Sequence, residues 1–293
     1  MDGPPTPDLT RHFRNMALAV FVAFRALQNG ETPVACVFVH GPSQAILAYG
    51  CNDTNRSLNG TRHAEFLGID ALLARHGLLG APAHEIAAFF ADVWLYVTIE
   101  PCVMCALALQ HIGIGRVYFG AANDRFGGNG TVLRVQGAAC YRSMGGIMRP
   151  EAIALLRQFY VQENGSAPVP KAKKNKDIEG KEFPANLDFR LYVSEPEFCR
   201  EMGPQRAARF YHAPNPQEEI TPVLGAGYGL RSLITEDHVR QMPAYERLYP
   251  DSPCEIATDL ARLAAMLPTI TDAGVVDLGG KADAKKRRLH GPG

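Results

Sequence analysis

The sequence predicts an α/β fold with helices packed on a mixed sheet. Three observations carry this. Short apolar, β-branched runs alternate with segments of helical period through about residue 120. A Gly41-Pro42-Ser43 turn folds two of those runs into a hairpin. Two helices, starting at His63 and Cys102, begin where strands end, the usual place for chemistry in such folds.

Residues 10–29 read as a helix. Thr10 can cap it, Phe13, Met16, Leu18, Val20, Phe24 and Leu27 recur through it, and Asn29-Gly30 stops it. Val34 to Val39 is a buried strand, and Ala45 to Cys51 returns as the second strand of the hairpin. Asn52 to Gly60 is a polar loop. The next helix presents His63 and Glu65 at its start and turns Phe66, Leu67, Ile69, Leu72 and Leu73 inward. Residues 77–91 form a Gly/Ala/Pro-containing connection with a short helix at Glu85 to Phe90. Val93 to Ile99 is the third strand, a helix runs from Cys102 to about His111, and Arg116 to Gly120 is the fourth strand. Three glycines in the stretch Asn123 to Gly130 mark tight turns. No P-loop context accompanies them. Pro150 to Val161 is a helix with proline in its first turn. Beyond Ala167-Pro168-Val169-Pro170 the periodicity is poor, and only Pro253 to Leu267 reads as helical, with Ile256, Leu260, Leu263 and Leu267 on one face.

The chain of 293 residues is long enough for one well-packed domain plus further material. Thirty basic residues balance thirty acidic ones, so total charge carries no nucleic-acid signature. The distribution says more: no lysine precedes Lys171, and basic residues cluster after it. Seven widely spaced cysteines form no small-domain disulfide pattern and favour a reducing compartment. The N-terminus lacks a signal-peptide layout, and the apolar run Met16 to Phe24 is too short to span a bilayer. A soluble, intracellular protein is expected, in the nucleus, the cytoplasm or both.

The chemistry concentrates in His63-Ala64-Glu65 and Pro101-Cys102-Val103-Met104-Cys105. One imidazole and two thiols are donors that zinc prefers, and three protein ligands leave a position open for water. Glu65 is better placed as a proton carrier than as a fourth ligand. The Cys102/Cys105 spacing sets two thiolates at the start of one helix, where the dipole favours negative charge. A C-x-x-C alone serves structural zinc or redox pairs equally well. The order H-x-E then P-C-x-x-C is the signature of zinc nucleobase deaminases.

Further segments narrow the resemblance. They are Glu31-Thr32-Pro33-Val34-Ala35-Cys36-Val37, Thr61-Arg62-His63-Ala64-Glu65-Phe66, the Val97 to Ala106 stretch, Val117-Tyr118-Phe119-Gly120, Asn123-Asp124-Arg125-Phe126-Gly127-Gly128, and Phe159 to Asn164 leading into a lysine run. Over roughly residues 10–176 the chain resembles the catalytic subunits of eukaryotic heterodimeric tRNA-specific adenosine deaminases. The resemblance implies a cytidine-deaminase-like three-layer α/β/α fold with a mixed sheet of about five strands. It also implies conversion of adenosine to inosine at the wobble position (34) of tRNA anticodons, water activated by zinc attacking C6. His63, Cys102 and Cys105 match the zinc ligands, Glu65 the proton shuttle, and Asn52 the asparagine that hydrogen-bonds the base; an ordinary turn asparagine is the other reading of Asn52. Ala64, Asn123 and Arg125 stand with the substrate-contacting positions, although a loop arginine such as Arg125 can equally pair with a neighbour. The implied partner is a related subunit that lacks the catalytic glutamate. Two features depart from the pattern: the 77–91 connection is longer, and nothing after about residue 182 matches.

The expected organisation is therefore a zinc-dependent deaminase domain over 1–165, a basic linker over 166–182, an extension of unassigned role over 183–280, and a basic tail over 281–293. Two other functions use the same zinc motif: deamination of a free pyrimidine nucleotide such as deoxycytidylate, and a non-catalytic zinc scaffold. Lys171, Lys173, Lys174 and Lys176 stand as RNA contacts, as a solvated linker or as a nuclear-import signal. If they contact RNA, neutralising the four should weaken tRNA binding. The slope of log affinity against log salt should then flatten by about 0.7–0.9 for each phosphate they had neutralised. Binding titrations across a salt series read this, and an unchanged slope makes the run a linker.

Overall fold

The computed structural model describes residues 6–135, 137, 140–162, 181–250 and 253–277. Lys171, Lys173, Lys174 and Lys176 and the basic tail lie outside the described residues.

The chain opens with α1 (Thr10–Gln28), then the antiparallel hairpin of β1 (Ala35–His40) and β2 (Ile46–Cys51). The short α2 (Thr54–Ser57) leads to α3 (Ala64–Arg75) and α4 (Ala83–Phe90). Next come β3 (Val93–Ile99), α5 (Val103–His111), β4 (Arg116–Ala121), β5 (Arg142–Met144) and α6 (Arg149–Val161). Among the described residues the main sheet has five strands in the order β2-β1-β3-β4-β5. The pairs β2/β1 and β1/β3 are antiparallel, and β3/β4 and β4/β5 parallel. The fold is the expected cytidine-deaminase-like α/β architecture with a mixed sheet.

Several local expectations change. Thr10 is not the cap of α1; Leu9 holds that position, and the Asp8 carboxylate accepts from the Thr10 N–H at 2.7 Å. The 52–60 loop contains α2, whose first amides are satisfied by the Glu31 carboxylate, at 3.1 Å from Asn55 N and 2.7 Å from Arg56 N. On α3 the fully buried face is Ala64, Glu65, Gly68, Ile69 and Leu72, while Phe66, Leu67 and Leu73 are half-buried. Strand β5 has only three residues, too short for an alternating pattern to show.

Residues 181–277 lie against this frame. They form α7 (Glu195–Met202), α8 (Pro204–Ala207), a π-helical turn at Ala208–His212, α9 (Leu230–Leu233), α10 (Glu236–Arg240) and α11 (Ile256–Met266). A small hairpin of β6 (Thr269–Ile270) and β7 (Val276–Asp277) follows. One continuous apolar cluster joins Phe13, Phe21 and Phe24 of α1 to Phe189, Phe198, Tyr228, Leu233 and Leu263. The reason lies in α1, whose side chains from Phe13 through Leu27, apart from Arg14, are buried on all faces. A helix apolar all round needs cover on both sides. The sheet supplies one side and residues 181–277 the other.

Buried arginines pin the two layers together. Arg25 of α1 pairs with Asp259 of α11 at 2.9 Å and donates to the Leu248 carbonyl at 3.2 Å. Arg149 donates from its Nε to Glu219 at 3.1 Å and from its terminal nitrogens to the Pro184 and Ala185 carbonyls. Arg206 donates to the carbonyls of Pro7, Met202, Thr221 and Pro222. Removing one partner of such a buried pair costs about 3–5 kcal/mol.

Glu151 of α6 is different. It is 1% exposed, and its carboxylate is buried against the Tyr228 hydroxyl and beside Glu219 with no well-formed hydrogen bond among the described residues. Burial pushes its carboxyl up to about 8. The folded chain therefore holds a proton there that the unfolded chain releases near its ordinary value of 4.5, so this group's contribution to stability falls as pH rises from 4.5 toward 8. Glu151→Gln should therefore be more stable than the parent at pH 8, by roughly 1.4 kcal/mol for every tenfold difference in proton affinity between the folded and unfolded chains. The advantage should shrink toward pH 5; thermal melts at the two pH values check it.

Candidate active site

The site forms where two helices start. His63 is the N-cap of α3 and Cys102 the N-cap of α5, both with extended backbone, so each side chain projects off the end of its helix. Cys105, in the first turn of α5, faces the same way. The donor atoms of His63, Cys102 and Cys105 all lie within 4.8 Å of one another. His63 Nδ1 is 3.5 Å from each Sγ. A tetrahedral zinc with bonds of about 2.0–2.1 Å to nitrogen and 2.3 Å to sulfur places those atoms about 3.5 Å apart. Donor chemistry and spacing therefore both fit zinc, with the fourth position open.

The electrostatics agree. The Cys105 S–H, donating to the Cys102 sulfur, holds the Cys102 thiol down at about 4, and the same bond raises Cys105. The Cys102 sulfur in turn raises His63. Glu65, on the first turn of α3, is 3% exposed and shares a hydrogen bond with Cys105. Burial pushes its carboxyl up to about 7.

Backbone approach sets the positions. A Cβ on Gly50 of β2 would sit 2.0 Å from the Ala64 carbonyl oxygen, so only glycine lets β2 lie this close to α3. Asn52, just past β2, accepts from the Ala64 N–H at 2.9 Å and thereby satisfies an amide at the start of α3. Residues 123–131 close over the start of α5: Val103 N–H donates to the Phe126 carbonyl and Gly128 N–H to the Pro101 carbonyl, both at 2.9 Å. A Cβ on Gly128 would meet Ala106 Cβ at 2.7 Å and Val103 Cα at 2.9 Å.

A family model described as the cytidine and deoxycytidylate deaminase zinc-binding region matches residues 9–121. The chain is 43% identical over 174 residues to the tRNA-specific adenosine deaminase subunit tad2 of Schizosaccharomyces pombe, covering 58% of this chain and 42% of that protein. It is 39% identical over 166 residues to tRNA-specific adenosine deaminase 2 of Danio rerio, covering 55% of this chain and 75% of that one. With tRNA-specific adenosine deaminase 2 of Xenopus laevis it shares 39% identity over 173 residues, 57% of this chain and 96% of the frog protein. The chain belongs to the tRNA-specific adenosine deaminase 2 family. Its cofactor is zinc.

In this member of the family, the structure brings together His63, Glu65, Cys102 and Cys105, with Asn52 and Ala64 bonded to each other beside them. Asn123 has a loop-building place: its N–H and side-chain amide bond Glu100, and its Oδ1 accepts from Phe126 N–H. Arg125 and the 63%-exposed Phe126 stand at the exposed tip of that loop.

The residue that sequence reasoning missed is Glu100. It is 1% exposed, and its carboxylate accepts from the N–H groups of Asn123, Asn129 and Thr131 at 2.9–3.1 Å, and from the Thr131 hydroxyl. Asn129 carries the network to Ser143 and Tyr141, and Thr131 carries it to Tyr192 of the extension. A buried carboxylate surrounded by donors leaves no periodic mark; the one signal was its place between β3 and Pro101. Glu100→Gln puts an amide donor among N–H donors. The buried mismatch should cost about 1–3 kcal/mol of stability. Thermal melts measure this, and an unchanged melting temperature would falsify the assignment.

Proposed function

We propose that this chain is the catalytic subunit of a tRNA adenosine deaminase, converting adenosine to inosine at the anticodon wobble position. The observation that carries the reading is Glu65, intact and buried against the three zinc donors, in a member of the tRNA-specific adenosine deaminase 2 family. When bound, zinc acts as a Lewis acid that makes water a nucleophile near neutral pH.

The chain's residues do the rest. His63, Cys102 and Cys105 hold the ion. Glu65 takes a proton from the attacking water, passes it to the ring nitrogen beside C6, and delivers the second water proton to the departing amine, so adenosine and water yield inosine and ammonia. Its buried carboxyl, beside the zinc donors, is placed both to accept and to return a proton. Asn52 caps α3 through its Oδ1, which leaves its amide nitrogen to meet an acceptor on the base. The wobble base sits in a loop, so splaying it into the pocket costs less than flipping a paired base. The partner in this reading is a related subunit whose own glutamate is lost.

A free-pyrimidine deaminase shares the zinc motif, but the named relatives act on tRNA. A zinc scaffold would have no use for a buried carboxylate beside the open position. The test is mass analysis of tRNA nucleosides after incubation with the chain alone and with its partner. Inosine should appear with the pair and only weakly with the chain alone; free dCMP should be untouched. Glu65→Gln should keep its zinc and lose about 10²–10⁴-fold in rate, whereas Cys102→Ser should lose the metal too. Equal zinc loss in both variants would refute the division of roles.

A further inference from the structure

A cavity of about 690 Å³ opens beside the site, and both halves of the chain build it. Arg25, Arg56, Arg62, Arg247 and Arg262 line it against the carboxylates of Glu31 and Asp53. The two acids are already engaged. Glu31 accepts from the first amides of α2. Asp53 accepts from Arg56 Nε at 2.7 Å and from Arg62 Nε at 2.9 Å. Each of those arginines uses its Nε on Asp53, and no hydrogen bond among the described residues engages their terminal nitrogens. Arg25 forms the floor, neutralised by Asp259. Arg262 donates to Gln28 at 2.9 Å, pairs with Asp259 at 3.5 Å and keeps its side chain 56% exposed, and Arg247 is exposed with no ion pair among the described residues. The lining therefore holds more guanidinium groups than carboxylates, even with Asp259 beneath it counted.

Its position gives the surplus a use. Arg62 directly precedes the metal donor His63, and Asn52 and Leu67 belong to both the cavity wall and the surroundings of the site. A base presented to the zinc donors drags its flanking sugar-phosphates across the adjoining surface. Forked guanidinium groups suit phosphate oxygens, and a cluster of them tracks a nucleic-acid strand. We propose that this cavity is a phosphate subsite for the RNA strand that carries the target base. Arg247 and Arg262, supplied by the C-terminal extension, are its positioning residues. The inference rests on the tRNA reading above and gives the extension a part in substrate binding.

The test uses the full chain with its partner subunit and a labelled single-stranded anticodon-loop RNA, titrated by anisotropy over a salt series. Each phosphate contact on a single strand contributes about 0.7 to the slope of log affinity against log salt. Arg247→Ala should flatten the slope by about that amount, and Arg247→Ala with Arg262→Ala by about twice it, with KM for the anticodon stem-loop rising roughly tenfold and kcat retained. Arg190→Ala, whose exposed arginine pairs with Asp188 elsewhere, should change neither. Arg262 also bonds Gln28 and pairs with the buried Asp259, so Arg247→Ala alone, with a parental melting temperature, keeps the test decisive. An unchanged slope in both variants while inosine still forms overturns the subsite and leaves the enzyme reading standing. No inosine from the parent, with the slopes still changed, overturns the enzyme reading and leaves the subsite. Displacement of the RNA by millimolar AMP with the affinity of the oligonucleotide reassigns the cavity to free nucleotides and overturns the proposal.

Discussion

Everything at the metal site depends on two helices starting at one point. Zinc tolerates about 0.2 Å of error in a ligand distance, and a side chain on a loop rarely holds that. Here the histidine and the first cysteine are N-caps, so their Cα positions belong to α3 and α5. The helices are then fixed to the sheet by contacts that exclude side chains. Gly50 lets β2 touch the backbone of α3, and Gly128 lets the 123–131 segment touch the backbone of α5. The same arrangement points two helix dipoles at the place where thiolate charge gathers. Geometry and electrostatics thus have one cause.

The alternation of apolar runs gave away the hairpin, the parallel strands β3 and β4, and the helices between them, because each is long enough to show a period. The three zinc donors and Glu65 were legible because metal chemistry restricts both residue type and spacing. Glu100 was not, since its partners are backbone amides from residues 123 to 131 and any sequence supplies amides. The glycines of that loop were visible, but as turns; Gly127 and Gly128 are needed because the backbone passes against the Glu100 carboxylate and against α5. Short elements such as β5, α8 and α9 run for less than two periods and carry no pattern to read.

The packing of residues 181–277 had a signal in the N-terminal helix. The run Ala17 to Phe24 is apolar on every face, which excludes a helix with one side in water. Too short for a membrane, it demands a second protein layer. The sheet cannot wrap round it, so another part of the chain must, and α9 and α11 do. Arg25 fixes where: its buried guanidinium meets the Asp259 carboxylate of α11. The extension therefore shares one core with the deaminase fold.

That shared core has a consequence for charge. The chain is neutral overall, so net charge alone does not draw it to RNA. On the tRNA reading proposed above, local recognition carries the weight, and arginine suits it. Asp53 receives Arg56 and Arg62 through their Nε atoms, and a guanidinium held on that edge still presents its terminal nitrogens. An ammonium has three donors on one nitrogen but no second planar edge held in a fixed direction. The absence of lysine before residue 171 fits that requirement. Around the site, positive charge is held in place by carboxylates that orient it, and what remains exposed is a set of directed hydrogen-bond donors.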